Sequence, residues 1–201
     1  MQKYLLLYAI SDGEICAVEA ALRGGATMLQ LRAKGLPDAD LLALARRVKA
    51  VTDRYGVPLI INDRTDIAIE IDAAGAHLGL DDGDLRQARS LLGPGKILGA
   101  TARTIDQALA AQSAGADYLG CGAVFGTSTK SDAVPMPLEL LQEICGAVRV
   151  PVVAIGGIER GNIDRLQGCG MAGFAVVSGI FGAADIGQAA RELREAAEHV
   201  L

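Results

Sequence analysis

Apolar residues come in eight short runs: YLLLYAI, TMLQLR, PLIIND, GAHLGL, KILGAT, DYLGCG, VPVVAIGG and FAVVSG. Continuous runs of this kind suit strands buried on both faces, as in a parallel sheet covered by helices. Between them, stretches such as DADLLALARRVKAVTDRYG and TIDQALAAQSAG repeat apolar residues at the helical spacing i, i+3, i+4 and i+7. Strict alternation of the two patterns predicts an α/β fold, a single-domain (βα)8 TIM barrel over residues 1–201 with eight strands and up to eight helices. A loose internal repeat agrees. GGATMLQL, AAGAHLGL, SAGADYLG and GCGMAGFAVV each end a helix in glycine and enter the second, fourth, sixth and eighth runs. A doubly wound open sheet is the competing architecture, but it lacks its glycine fingerprint after the first strand.

Composition narrows the partners. The chain is 51% hydrophobic and 21% charged, enough to bury a substantial core. A net charge of −5 with no basic block argues against nucleic acid or an anionic membrane as partner. Its 19 lysines and arginines still leave room for a local positive pocket around a small-molecule anion. Cys16, Cys121, Cys145 and Cys169 are scattered without a CxxC pair, which reads as reduced, mostly buried thiols. The opening MQKYLLLYAI is too short and too weakly charged for a signal peptide, and no run reaches the ~18 apolar residues of a membrane span. A cytoplasmic location is expected. The sequence neither requires nor excludes a homo-oligomer.

Barrel chemistry sits where strands end, so polar groups at those ends are the candidates for function. In QLRAK, Gln30, Arg32 and Lys34 lie two apart and would share one side of a strand. Two cations held together call for an anion, unless Lys34 already lies in solvent. IND closes the third run. Asp63 there is either a metal ligand or the N-cap of the helix that follows, and Asp82 after the fourth run carries the same alternative. Two carboxylates on adjacent loops suit Mg2+, which takes one or two carboxylates and fills its shell with water or phosphate oxygens. AIGGIERGN and VVSGIFG end the seventh and eighth runs, where barrels commonly bind phosphate; Gly157 and Ser178 are the natural donors, unless the glycines serve only turns. His77 and His199 read as core or surface residues rather than catalytic ones. The polar stretch GTSTKSDA, long for a loop in so apolar a chain, reads as functional or disordered.

Taken in order, QLRAK, IND, GAHLGLDD, GADYLGCGAVFGTSTK, PVVAIGGI and VVSGIF resemble the thiamine-phosphate synthase and TenI superfamily of (βα)8 barrels, from about Tyr4 to Phe181. The resemblance implies an Mg2+-dependent transferase. Hydroxymethylpyrimidine diphosphate, an aminopyrimidine, would lose diphosphate to a thiazole phosphate nucleophile, giving thiamine phosphate. It further implies that Arg32 and Lys34 hold the diphosphate with Asn62, and that Gln30 contacts the pyrimidine substrate near Thr101. Asp63 and Asp82 match the metal ligands. Thr127, Thr129, Gly157, Val177 and Ser178 match the thiazole phosphate site, and Lys130 joins Arg32 as a catalytic cation. Leu80, Thr101, Ala123 and Gly126 depart from the usual family residues. A TenI-like thiazole tautomerase is the nearest alternative, but its histidine would fall at Ala123, which cannot move a proton. A noncatalytic phosphate-ligand regulator is the other.

Overall fold

The structure is a computed structural model and describes residues 1–126 and 135–201. Eight parallel strands close into a barrel: β1 (Leu7–Ser11), β2 (Met28–Leu31), β3 (Leu59–Asn62), β4 (Gly75–Leu78), β5 (Ile97–Ala102), β6 (Tyr118–Gly122), β7 (Val152–Ile155) and β8 (Gly173–Val176). Closure comes from β8 pairing back on β1, with Tyr8 opposite Ala175. Helices α1 (Gln2–Leu5), α2 (Ile15–Arg23), α3 (Asp38–Tyr55), α4 (Thr65–Glu70), α5 (Leu85–Leu92), α6 (Ile105–Ser113), α7 (Leu138–Ala147), α8 (Ser178–Phe181) and α9 (Ile186–Val200) surround it. The expected barrel is therefore present.

Alternation along each strand separates two cores. Leu7, Ala9, Leu29, Leu31, Leu59 and Ile61 point outward into a large apolar layer under the helices. Their neighbours Tyr8, Ile10, Met28 and Ile60 point inward and meet Tyr118, Val153 and Ala175 in a smaller cluster inside the barrel. The first run illustrates how packing overrides pattern. YLLLYAI reads as one strand, yet its first part belongs to the short helix α1. Leu5 from that helix is fully buried in the interior cluster, so it plugs the end of the barrel opposite the strand C-termini.

Three local expectations are corrected. The segment after β7 forms a 3₁₀ turn at Ile163–Leu166 instead of an α-helix. Gly75 does not end a helix; it lies within β4. Neither Asp63 nor Asp82 caps a helix, because Arg64 occupies the cap position of α4 and the Asp84 carboxylate caps α5 by accepting from the Gln87 amide at 2.9 Å. Both aspartates are thereby left to other work. The four cysteines are free, with Cys121 and Cys169 buried and Cys16 exposed. No helix among the described residues is long and apolar enough to cross a membrane.

Candidate active site

A cavity of about 400 Å3 opens at the strand C-termini. Gln30, Arg32, Lys34, Asn62, Asp82, Thr101, Gly157, Val177 and Ser178 all line it, so the expected residues are brought together from six different strand ends. Thr127, Thr129 and Lys130 lie outside the described residues. The described residues on either side of them are held by backbone hydrogen bonds. Val124 and Phe125 amides donate to the Ile155 and Gly156 carbonyls at 3.0 and 3.1 Å, and the Met136 amide donates to the Ala123 carbonyl at 2.7 Å.

Charge gathers on the β2–β4 side. β2 ends at Leu31, so Arg32 and Lys34 stand just beyond it, where backbone geometry no longer forces alternation. Arg32 is half-buried, with its amide donating to the Ser11 carbonyl at 2.8 Å. The Lys34 ammonium is more exposed and stands between two carboxylates, 3.8 Å from Asp63 Oδ2 and 4.0 Å from Asp82 Oδ1. Asp63 adopts a left-handed backbone with φ of 56°, a conformation aspartate tolerates better than most residues but at a cost. Its amide donates to the His77 carbonyl, and its carboxylate accepts from the Asn62 side chain at 2.9 Å. Burial, followed by the negative charge of Asp82, raises the Asp63 pKa above the ordinary carboxylate range despite Lys34. Asp82 is positioned by the Gly79 amide, which donates to its Oδ2 at 2.7 Å.

This donor set fits a hard divalent cation. Two oxygen donors sharing a basin, one of them destabilised by its neighbour's charge, is what Mg2+ would relieve. Among the described residues no cluster of three or more metal-ligating side chains occurs.

The β7–β8 side is built from backbone. Gly156 and Gly157 have φ of 106° and 66°, and a Cβ at Gly157 would overlap the Gly126 carbonyl oxygen and crowd that of Phe125. Only glycine fits there. Asn162 braces the loop, donating from Nδ2 to the Gly157 carbonyl at 2.8 Å while its Oδ1 accepts from the Glu159 amide at 3.0 Å. Helix α8 starts at Ser178, immediately after Val177, and both residues line the cavity.

The floor holds groups that sequence reasoning missed. Tyr8, on the first strand, and Tyr118, on the sixth, are buried, and their hydroxyls are 2.8 Å apart. Gln30 Nε2 donates to Tyr8 Oη at 2.6 Å, while His77 sits 3.0 Å from Tyr118 Oη through Nδ1 and 3.0 Å from Thr101 Oγ1 through Nε2. Gly99 makes this possible, since a Cβ there would collide with both the Tyr118 ring and the His77 imidazole. The available signal was period two: Tyr8, His77 and Tyr118 occupy inward positions that a dry barrel would fill with Val, Ile or Leu. Arg103 and Asp12 also line the cavity, though no motif in the sequence marks them.

Comparison with known proteins identifies the family. The model of the thiamine monophosphate synthase family, TMP-TENI, matches residues 7–180. The chain belongs to this family. It is 44% identical over its whole length to the thiamine-phosphate synthase of Lacticaseibacillus paracasei, covering 96% of that protein. Thiamine-phosphate synthase 2 of Streptococcus pneumoniae is 50% identical across 86% of this chain and 82% of its own. The solved structure of thiamine phosphate pyrophosphorylase from Pyrococcus furiosus superimposes with a TM-score of 0.93 at 38% identity, covering 100% of this chain and 98% of that one.

Proposed function

We propose that the chain is a thiamine-phosphate synthase, a transferase that joins hydroxymethylpyrimidine diphosphate to thiazole phosphate and releases diphosphate. The observation that carries the reading is the split mouth: side-chain charge at β2–β4 faces glycine-rich backbone at β7–β8 across one cavity. One side suits a highly charged leaving group and the other a phosphate monoester. Relatives with synthase names over nearly the full chain support the same assignment.

Cleavage of the carbon–oxygen bond places negative charge on the departing diphosphate. Arg32 and Lys34 meet that charge with preorganised cations, and Asn62 adds a neutral donor beside them. Asp63 and Asp82 would hold Mg2+, which when bound supplies further positive charge to the diphosphate. Lys130, outside the described residues, would supply a further cation to the departing diphosphate. The pyrimidine delocalises the positive charge left on its methylene carbon, so little proton transfer is asked of the protein. Gly157, Val177 and Ser178 hold the thiazole phosphate, with Thr127 and Thr129, so that its ring nitrogen faces the methylene carbon. Ala123 lines the cavity where a tautomerase would need an acid or base. That position disfavours proton-transfer chemistry.

The test is diphosphate release from the pyrimidine substrate with thiazole phosphate present. Release that requires Mg2+ or Mn2+ and yields thiamine phosphate supports the reading. No release with either metal overturns it.

A further inference from the structure

The interior polar chain has a direction. Gln30 Nε2 donates to Tyr8 Oη, and a phenol carries one hydrogen. Tyr8 is 1% exposed and its other hydrogen-bond partner is Tyr118, so that hydrogen goes to Tyr118. Tyr118 is fully buried and already accepts, so its own hydrogen goes to His77 Nδ1. A neutral imidazole accepting at Nδ1 carries its hydrogen at Nε2, which then donates to Thr101 Oγ1. Each donation thus fixes the next. The Thr101 hydroxyl, having accepted, keeps its hydrogen for the cavity that it lines. At the other end, Gln30 Oε1 remains an acceptor. Among the described residues no fully buried side-chain oxygen or nitrogen lacks a partner, so Oε1 is open to the same cavity.

We propose that Tyr8, Tyr118 and His77 form a directional hydrogen-bond wire that fixes Gln30 as an acceptor and Thr101 as a donor, and thereby selects an aminopyrimidine over its oxo analogue. This rests on the reading of a pyrimidine as the substrate. An exocyclic amine donates and the adjacent ring nitrogen accepts, which complements the two ends of the wire. In the oxo form the carbonyl meets the Gln30 acceptor like with like, and the ring N–H leaves the Thr101 hydrogen without its acceptor. A site whose polar groups are held in this way rejects the mismatched ligand strongly, because its buried groups are left unpaired.

Two features make the wire rigid. Burial pushes both phenols well above their ordinary range, so each keeps its one hydrogen. The Tyr8 and Tyr118 rings meet edge to face at 5.7 Å, and the His77 ring lies 5.5 Å from Tyr118, so none can turn without displacing its neighbour. These three are positioning residues: they act through Gln30 and Thr101.

The chain has two histidines, so 15N-labelled protein with His199→Gln gives an unambiguous imidazole spectrum for His77. The expected result without any substrate is a hydrogen on Nε2 and none on Nδ1. Gln30→Glu presents only acceptors to Tyr8 and should reverse the wire, moving the hydrogen to Nδ1. Tyr118→Phe, the milder variant should that one fail to fold, should lose the single tautomer. Calorimetric binding of the amino and oxo pyrimidine diphosphates completes the test: Tyr118→Phe should cut the preference for the amino form by about tenfold or more. A wild-type imidazole protonated at Nδ1 or at both nitrogens overturns the proposal, as does an unchanged preference in Tyr118→Phe. If neither pyrimidine binds the wild type, the selectivity fails with the substrate reading, while the tautomer result still decides the wire.

Discussion

On the β2–β4 side of the mouth, Arg32, Lys34, Asp63 and Asp82 present full charges on side chains held by loops. On the β7–β8 side, Gly156, Gly157 and the start of α8 present backbone, held by Asn162 and by close contact with the Phe125 and Gly126 carbonyls. The charged side is adjustable, since Lys34 is exposed and pairs only at 3.8 to 4.0 Å. The backbone side is fixed, since its shape depends on φ values that side chains cannot follow. A leaving group that changes charge during reaction gains from the first arrangement. A phosphate that only needs to be held gains from the second.

Arg32→Ala should separate the two sides most sharply. Losing one preorganised cation at a developing charge typically costs about 100- to 1,000-fold in turnover. The measurement is kcat with both substrates saturating, and thiazole phosphate affinity should stay within about twofold of wild type if the sides are independent. Lys130→Ala extends the comparison to a cation outside the described residues, and should lower kcat more than it weakens thiazole phosphate binding.

Gly157→Ala attacks the fixed side. A left-handed φ and overlap with the Gly126 carbonyl oxygen should destabilise the fold by about 1–3 kcal/mol and displace the loop. Denaturant unfolding gives the first quantity and thiazole phosphate titration the second. Asn162→Ala is the subtler version: the glycines remain, but their brace is gone, and phosphate affinity should fall by about tenfold with the pyrimidine KM unchanged.

These outcomes also mark what could be read from the chain alone. Arg32, Lys34, Asp63 and Asp82 were legible because charge at a strand end has few other uses; the structure lines one cavity with Arg32, Lys34 and Asp82, and Asp63 joins them through Lys34 rather than by lining it. The alternative capping role of the aspartates could not be dismissed from sequence. It depended on whether the chain turned before or after them, and the left-handed Asp63 and the cap at Asp84 decided it. The floor was illegible for another reason. Tyr8, His77 and Tyr118 lie far apart in sequence, and each alone resembles an ordinary buried residue; only barrel closure joins them into one chain. Arg103 escaped notice because nothing in its neighbourhood marks a cation there as facing inward.

The smallest expected effect concerns pH. The raised Asp63 pKa means that this group contributes stability below its unfolded pKa, and the contribution is lost as pH rises through the higher folded value. Without divalent cation, Asp63→Asn should therefore raise the thermal midpoint at neutral pH by about one or two degrees and give no gain in acid. Apparent Mg2+ affinity of the wild type should increase as pH rises through the same window, because the proton and the cation compete for the carboxylate. A melting curve in chelator and a calorimetric pH series supply both checks.

The most direct test of the split mouth is a 31P titration of wild type and Asp82→Asn, with Mg2+–diphosphate and thiazole phosphate added in turn. The account predicts that the variant loses Mg2+–diphosphate binding by at least about 100-fold and keeps thiazole phosphate affinity near wild type. Equal loss of both ligands, or unchanged diphosphate binding, would contradict it.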